Sequence, residues 1–311
     1  MTKSRKTGLR PVKVHRVGLK YRGISCRTRK RYEQQLRIFF EHLVRHKIQL
    51  PTSFRALDET LSDYIDHMFM EGEPIGYAGD LISAMSRFIP MARLRIPTTR
   101  LWFRNWQREV VRVRALPIPA AACRGMAGLA LAMGRVDLAA LLPLGFLCML
   151  RTGEILGLCP KDITLSPFGS SAIIRLPTTK TSGPNTEEVV LQDSTVVEAL
   201  KAACIGVGQS EPIYSKKPSL LGEDLRWLGR LVGFEHKRFT PYSLRRGGAT
   251  WHFHKFGSLS KTAVDGRWKH ERTAKIYIDG AAAEWASWQF GDNGTLMLRR
   301  GAKAYKQHFA V

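Results

Sequence analysis

The segment Thr240–Thr250 reads TPYSLRRGGAT, and Gly266–Tyr277 reads GRWKHERTAKIY. Upstream of both, Leu150–Leu158 reads LRTGEILGL. The first segment predicts a helix that begins near residue 241, and the second is predicted to lie in a helix over 258–279. The two adjacent glycines after the arginine pair permit a close approach of the backbone to a ligand. These segments predict a mainly helical region in which arginine and aromatic side chains converge.

Two arginines and one tyrosine from these segments have the chemistry needed to break a phosphodiester bond. The guanidinium groups of Arg151 and Arg245 stay charged and can grip two phosphate oxygens at once. The phenol of Tyr277 is an oxygen nucleophile, but at its ordinary pKa only roughly one part in a thousand is ionised at neutral pH. It therefore requires positive neighbours or a base. Glu154, three residues after Arg151, is predicted to share its helical face and to hold its side chain.

The remainder of the chain predicts a fold that is mainly α with a small antiparallel β-sheet. Apolar residues recur at helical spacing between 27 and 112, and these stripes are typical of core positions. Two strand-like runs over 172–176 and 188–191 flank turn-forming residues, which indicates a hairpin. The predicted organisation is a basic flexible arm (1–26), a helical N-terminal DNA-binding domain (27–114), a linker (115–119), a catalytic domain (120–280) and a C-terminal tail that is a candidate for subunit contact (281–311).

The charge balance is strongly basic. The chain carries 49 Lys and Arg against 26 Asp and Glu, a formal net charge of +23. Such an excess favours a polyanionic partner, with nucleic acid first and an acidic membrane surface second. The first 32 residues contain neither Asp nor Glu, a pattern typical of arms that bind phosphate. The predicted DNA contacts are Arg27, Arg29, Lys30, Arg31 and Arg246.

The sequence favours an intracellular protein that acts with DNA, in the nucleus of a eukaryote or in the cytoplasm and nucleoid of a bacterium. No apolar run approaches the length of a membrane span, so no membrane partner is expected. No apolar stretch follows the basic first residues, so no secretory signal is predicted. The five cysteines are scattered without a C-x-x-C pair, which disfavours a zinc ribbon or a disulfide framework.

The set of motifs resembles the tyrosine recombinases, also called the phage integrase family. The family's R-x-x-E segment is matched by Arg151 with Glu154, and its hairpin lysine by Lys180. Its H-x-x-R motif is matched by the four residues from Tyr242 to Arg245, with tyrosine in the usual histidine position. The remaining two positions, a His or Trp nine residues before the nucleophile and the nucleophile itself, are matched by Trp268 and Tyr277.

The resemblance implies a helical core-binding domain with a SAM-like fold, followed by a tyrosine recombinase catalytic domain over about 120–280. In this family the tyrosine attacks the scissile phosphate and forms a 3′-phosphotyrosyl link. The lysine protonates the departing 5′ oxygen, and the two arginines neutralise the developing charge. The resemblance implies no metal and no small-molecule cofactor, double-stranded DNA as partner and a homotetramer on DNA. A phenol at Tyr242 can donate a hydrogen bond to phosphate, but it does not readily act as a base at neutral pH.

Three other functions stay open at this point. A catalytically weakened or domesticated relative of a mobile-element recombinase would bind DNA without cutting it, and Tyr242 motivates this alternative. A type IB topoisomerase-like enzyme would share the chemistry but relax supercoils without choosing a site. RNA binding is compatible with the charge, although no aromatic RNP-like motif supports it.

Overall fold

The computed structural model describes residues 23–111, 113–167, 169–176, 187–234 and 239–310. The chain divides into two compact units, Met1–Arg112 and Val113–Val311. Each unit has its own apolar core. Within the described residues, none of the helices combines the length and the apolar character that crossing a membrane requires.

The first unit is built from helices whose apolar faces meet. Its helices are α1 (Cys26–Arg45), α2 (Phe54–Met70), α3 (Ile75–Phe88), α4 (Ala92–Arg95) and α5 (Pro97–Glu109). Phe39, Leu61, Leu81 and Trp106 lie buried at the centre, as predicted for the apolar stripes. Other stripe residues are exposed and do not belong to this core: Phe40, Val44, Phe88, Ile89, Trp102 and Val110. The carboxylate of Asp58 accepts hydrogen bonds from the first backbone N–H groups of α5, which have no partner within their own helix. It thereby caps α5 from a neighbouring helix.

The second unit is also mainly helical and carries one small sheet. Its helices are α6 (Ala120–Ala132), α7 (Val136–Leu147), α8 (Thr152–Gly157), α9 (Ser194–Cys204), α10 (Leu221–Leu231), α11 (Tyr242–Phe256), α12 (Leu259–Asp265), α13 (Glu271–Lys275), α14 (Gly280–Trp288) and α15 (Gly291–His308). The strands are β1 (Ile163–Leu165), β2 (Ala172–Arg175) and β3 (Glu188–Leu191), in the order β1-β2-β3. Both strand pairs are antiparallel.

The sheet confirms the predicted hairpin and adds a strand. Ala172 pairs with Leu191 and Ile174 with Val189, as a hairpin between the two apolar runs requires. The side chains of Ala172 and Ile174 are buried on one face, and Ile173 between them is exposed. This alternation is the period of a strand with one covered face. β1, which the sequence analysis did not predict, covers only three residues.

The predicted continuous helix over 258–279 is wrong. The structure instead has α12, a connecting segment over 266–270 and the short helix α13, and Tyr277 lies in the turn after α13. α12 ends because Arg267 adopts a left-handed conformation with φ of +59°. Its N–H and that of Trp268 bond back to carbonyls in the last turn of α12, which closes the helix end.

The residues after 280 form helices α14 and α15, and α15 packs on α6 of the same unit. The two backbones approach closely where glycines face each other. A Cβ on Gly128 would lie 1.8 Å from the carbonyl oxygen of Gly301, and a Cβ on Gly301 would lie 2.4 Å from the carbonyl oxygen of Gly125. In this structure the segment predicted as a tail is thus part of the packed unit.

Candidate active site

Helix α11 places Arg245 in the interior of the second unit. The adjacent Gly247 and Gly248 make this depth sterically possible, because a Cβ on them would lie 2.2 Å from the carbonyl of Ile118 and 2.0 Å from that of Phe146. The sequence analysis assigned these glycines to the approach of a ligand. In the structure they permit the approach of two other backbone segments. Arg245 itself is only 1% exposed.

Two helix ends hold the guanidinium of Arg245. α7 ends with Met149 at φ +46°, and α12 ends with Arg267 at φ +59°. In both, the N–H groups beyond the helix turn back to its last carbonyls, the Schellman arrangement. Arg245 donates from Nη1 to the carbonyl of Met149, and from Nη2 to the carbonyl of Gly266 at 2.8 Å. Because helix C-termini carry partial negative charge, they are favourable partners for this cation.

Arg151 is held by a buried carboxylate at the start of α8. Its backbone N–H donates to Oε2 of Glu154 at 2.8 Å, and its Nη1 lies 2.5 Å from Oε1 of the same residue. Glu154 is 1% exposed, and the side chain of Arg151 is 31% exposed. The predicted partnership between the two residues is therefore present, but the Glu154 carboxylate reaches back to the N–H and the guanidinium of Arg151 at the helix start, so the two residues do not share one helical face. The outer part of the Arg151 guanidinium faces solvent.

Two charged residues that the sequence analysis did not select complete this cluster. Arg267 donates from Nη1 to the carbonyl of Cys148 at 3.1 Å and from Nη2 to Oε2 of Glu154 at 2.7 Å. Oε2 of Glu187 lies 3.2 Å from Nε of Arg267 and 3.6 Å from Nη1 of Arg151. Oε2 of Glu187 has no aligned hydrogen bond to a described residue, so its contacts with Arg267 and Arg151 are ion pairs only.

Two aromatic rings cover Arg245. Its guanidinium carbon lies 4.4 Å from the ring centre of Trp268 and 5.5 Å from that of Tyr277. The two rings lie 4.6 Å apart between centres. Gly266 makes room for the indole, because a Cβ there would lie 1.8 Å from it. The indole Nε1 is buried and has no hydrogen-bond partner of standard geometry among the described residues. Its N–H therefore affects the hydroxyl of Tyr277 as a nearby polar group and not through an aligned hydrogen bond.

Tyr242, at the start of α11, lies beside Tyr277 with 5.5 Å between the ring centres. Tyr242 is partly exposed, and Tyr277 is half-buried. The predicted residues Arg245, Trp268, Tyr277 and Tyr242 are therefore brought together. Arg151 joins them through the network of Glu154 and the 266–268 segment.

The surroundings push the pKa values of the two phenols in opposite directions. Burial acts to raise the pKa of Tyr277, but the polar groups of Tyr242 and Trp268 outweigh it. The positive charge of Arg245 adds to this effect, so the pKa of Tyr277 is lowered overall. Burial and then the neighbouring Tyr277 raise the pKa of Tyr242. As the two hydroxyls titrate as a pair, ionisation is favoured at Tyr277 while Tyr242 stays protonated.

The arginines keep their charge in this environment. Burial, and then the nearby charges of Arg151 and Arg267, lower the pKa of Arg245 to about 10. Arg245 is therefore still a cation at neutral pH. Burial also acts to lower the pKa of Arg151, but its hydrogen bond and ion pair with Glu154 outweigh burial and raise it. The site thus combines permanent positive charge with a phenol that is easier to ionise than a free one.

The guanidinium of Arg246 contacts the backbone of the site and not its cation cluster, because its Nε donates to the carbonyl of Tyr277 at 3.4 Å. Arg246 is 2% exposed and donates to the carbonyl of Ala115 at 2.7 Å and to the carboxylate of Asp279 at 3.2 Å. A guanidinium that is buried and bonded within its own unit does not face solvent, so the surroundings of Arg246 do not favour the predicted DNA contact. Lys180, the predicted general acid, lies outside the described residues, and its role stays a prediction.

The other predicted DNA contacts lie on α1 of the first unit. Arg27 and Lys30 are exposed. Arg29 pairs with Glu33 at 3.5 Å, and Arg31 makes a two-pronged ion pair with Asp80 at 2.5 and 2.8 Å. The exposed pair of Arg29 contributes little to stability, so this cation is able to exchange partners. Arg31 is held more firmly, because its pair is bidentate and the side chain of Asp80 is only 14% exposed.

Comparison with solved structures finds DNA recombination proteins of similar fold. The Tn1549 transposon integrase in complex with circular intermediate DNA aligns with a TM-score of 0.61 at 13% identity, covering 86% of this chain and 95% of that chain. The XerH site-specific recombinase bound to a palindromic difH substrate gives 0.55 at 16% identity, covering 85% and 80%. A lambda integrase dimer bound to a COC′ core site also gives 0.55 at 16% identity, covering 86% and 93%.

Neither a protein-family model nor a curated protein sequence matches the chain. The structural similarity alone shows that the chain has the fold of the tyrosine recombinases.

Proposed function

We propose that this chain is a site-specific DNA recombinase or integrase, which cuts and rejoins double-stranded DNA through a 3′-phosphotyrosyl intermediate. One observation carries the proposal: the buried cation of Arg245 lies under the ring of Tyr277, at 5.5 Å from its centre, and Trp268 packs against both. An arginine beside an oxygen nucleophile of lowered pKa suits nucleophilic attack on a phosphodiester, because the cation stabilises the charge that develops on the phosphate.

In the cleavage step, the hydroxyl of Tyr277 gives its proton to solvent water, and its oxygen attacks the scissile phosphorus. A bond forms between this oxygen and phosphorus, and the bond from phosphorus to the 5′ oxygen breaks. Arg151 and Arg245 stabilise the negative charge that grows on the non-bridging oxygens. The 5′ oxygen leaves as a hydroxyl after taking a proton, which we assign to Lys180. Attack of another 5′ hydroxyl on the phosphotyrosine reverses these steps and rejoins the strand.

The phosphate reaches Arg245 only after a local movement in the site. Arg245 is 1% exposed, and the rings of Trp268 and Tyr277 cover it. The carbonyl of Tyr277 accepts from Arg246 Nε and from Thr250 Oγ1, both at 3.4 Å, so we expect the phenol to move by rotation of its side chain while the backbone stays in place. We expect DNA binding to displace the phenol from Arg245 towards the phosphorus. Recombination between two DNA sites then requires several active sites, and we expect a homotetramer on DNA.

Tyr242 favours a second candidate, a DNA-binding relative with weakened catalysis. Its raised pKa keeps its hydroxyl protonated, so it donates a hydrogen bond but does not remove a proton at neutral pH. In the proposed enzyme this hydroxyl supports the phosphate or the nucleophile. In the weakened relative the absence of a base at this position leaves DNA binding without turnover.

Capture of the covalent intermediate tests the proposal. The full chain is incubated with a library of nicked duplexes of randomised sequence, in which cleavage releases a short strand and prevents rejoining. We expect a protein–DNA adduct that survives denaturation, with the DNA attached to the peptide that contains Tyr277. Tyr277→Phe is expected to abolish the adduct, and Tyr77→Phe, at an exposed tyrosine of the first unit, is the matched control that retains it.

The same library separates the two candidates. The DNA-binding relative is identified by binding without an adduct, in which the logarithm of the affinity falls steeply with the logarithm of the salt concentration. Each neutralised phosphate contributes about −0.9 to this slope. An adduct that persists in Tyr277→Phe contradicts the assignment of the nucleophile. Absence of both adduct and salt-dependent binding contradicts both candidates.

A further inference from the structure

Arg267 lies between the two carboxylates that also contact Arg151. It donates to Oε2 of Glu154 at 2.7 Å, and its Nε lies 3.2 Å from Oε2 of Glu187. We propose that Arg267 is a positioning residue: it neutralises these two carboxylates and so leaves the guanidinium of Arg151 available for an anion. This inference rests on the proposed function, because the anion is taken to be the DNA phosphate.

The backbone at Arg267 indicates that its side chain has a specific role. Arg267 occupies the residue just after the end of α12, with φ of +59°. Glycine is the usual residue at this position of a helix end, since other residues have a steric penalty in the left-handed region. Arginine has no local advantage there, and its guanidinium contacts lie in a different part of the sequence, at Cys148 and Glu154. The advantage of arginine over glycine at position 267 therefore comes from the contacts of its side chain.

Arg267 also joins the two loops that form the site. Its Nη1 donates to the carbonyl of Cys148 at 3.1 Å, immediately before the residue whose carbonyl accepts from Arg245. Arg245 in turn donates to the carbonyl of Gly266, immediately before Arg267. The segments 148–151 and 266–268 are thus linked twice, once by each guanidinium. The position of Arg151 relative to Trp268 depends on both links.

The charges of the cluster show why a third cation is needed. Arg151, Arg245 and Arg267 face two carboxylates, so the cluster has one net positive charge. Without Arg267, the net charge falls to zero, and of the three arginines only Arg151 still pairs with the two carboxylates. The side chain of Arg267 is 10% exposed and that of Arg151 is 31% exposed, so Arg267 is the inner cation and Arg151 the outer one. An incoming phosphate therefore meets Arg151 with its carboxylate partners already neutralised.

Binding of inorganic phosphate by the full chain tests this charge balance without catalysis. The melting temperature of the full chain is measured as inorganic phosphate is added, with chloride at equal ionic strength as the reference. The quantity compared between variants is the phosphate concentration that gives half of the total rise in melting temperature. Arg267→Gly removes the guanidinium and suits the left-handed backbone, and it is expected to raise this concentration about fivefold or more. Adding Glu187→Gln to Arg267→Gly restores the net charge and is expected to return the concentration to within about twofold of the unsubstituted chain.

Two single substitutions keep the test decisive if Arg267→Gly does not fold. Glu187→Gln alone releases Arg151 from one carboxylate and is expected to lower the half-saturating phosphate concentration about threefold. Glu188→Gln, at the next residue, removes a carboxylate that pairs with exposed Arg175 and is expected to change nothing. An equal effect of the two substitutions, or weaker phosphate binding in Glu187→Gln, overturns the proposal. So does a double variant that binds phosphate no better than Arg267→Gly.

The adduct assay then separates this inference from the proposed function. We expect Arg267→Gly to slow single-turnover adduct formation about tenfold to a hundredfold while DNA affinity changes less than about threefold, because positioning affects the reaction more than binding. Arg267→Lys, which keeps the charge, is expected to recover part of the rate. Absence of an adduct in the unsubstituted chain refutes the proposed function, whereas the phosphate titration still decides the role of Arg267.

Discussion

Replacement of Glu154 by glutamine removes the charge on which two arginines depend. The carboxylate of Glu154 is 1% exposed and accepts from the backbone N–H of Arg151 at 2.8 Å, from its Nη1 at 2.5 Å and from Nη2 of Arg267 at 2.7 Å. Glutamine keeps one acceptor oxygen and turns an NH2 group towards these donors. Removing one partner of a buried ion pair typically costs about 3–5 kcal/mol. Because Arg151 is partly exposed, we expect the lower end, about 3 kcal/mol.

Thermal denaturation of the full chain measures this loss in the second unit. A loss of about 3 kcal/mol corresponds to a fall in melting temperature of about 6–12 °C for a domain of this size. Glu188→Gln is the matched control, since its ion pair with Arg175 is about half-exposed and contributes under about 1 kcal/mol. Equal melting temperatures for Glu154→Gln and Glu188→Gln would show that the buried carboxylate does not organise the arginines, and the description of the site as a charge network would be wrong.

Two further predictions concern packing. Asp58→Ala leaves the first N–H groups of α5 without their cap and is expected to destabilise the first unit by about 2 kcal/mol, measured by urea denaturation; faster hydrogen exchange confined to α5 would identify the cap as the cause. Gly128→Ala places a methyl group 1.8 Å from the carbonyl of Gly301 and is expected to cost about 3 kcal/mol and expose α15 to proteolysis. Gly76→Ala has no atom within 4 Å and is the tolerated control, and equal behaviour of the two would contradict the close packing of α6 and α15.

The helices and the hairpin could be predicted because their signals are local. The apolar stripes of α1 to α3 have the helical period, and the alternation of β2 sets its buried face. The end of α12 could not be predicted in the same way. Gly266 and Arg267 close that helix, but the left-handed residue is the arginine, and sequence rules place glycine there. β1 covers three residues, which is too short for its alternation to be recognised.

The candidate site shows the same division between local and distant signals. The motif spacing selected Arg151, Arg245, Trp268 and Tyr277, and the structure brings these side chains to one region. The ion pairs of Glu187 with Arg151 and Arg267 join residues far apart in sequence, so no local pattern indicates them. The burial of Arg246 was missed for a related reason. An arginine pair at a helix start looks the same in sequence, whether each side chain faces solvent or the core.

The contacts of Arg245 explain how this geometry is compatible with the 13–16% identity to the solved structures. Its two hydrogen-bond acceptors are backbone carbonyls at helix ends, which any sequence that forms those helix ends supplies. The surroundings of Arg245 therefore require particular residue types at only a few positions. Arginine is needed at 245, and glycine is needed at 248 and 266, where a Cβ would lie 2.0 Å from the carbonyl of Phe146 and 1.8 Å from the indole of Trp268. Divergence elsewhere in the unit leaves the cation, its two carbonyls and the covering phenol in place.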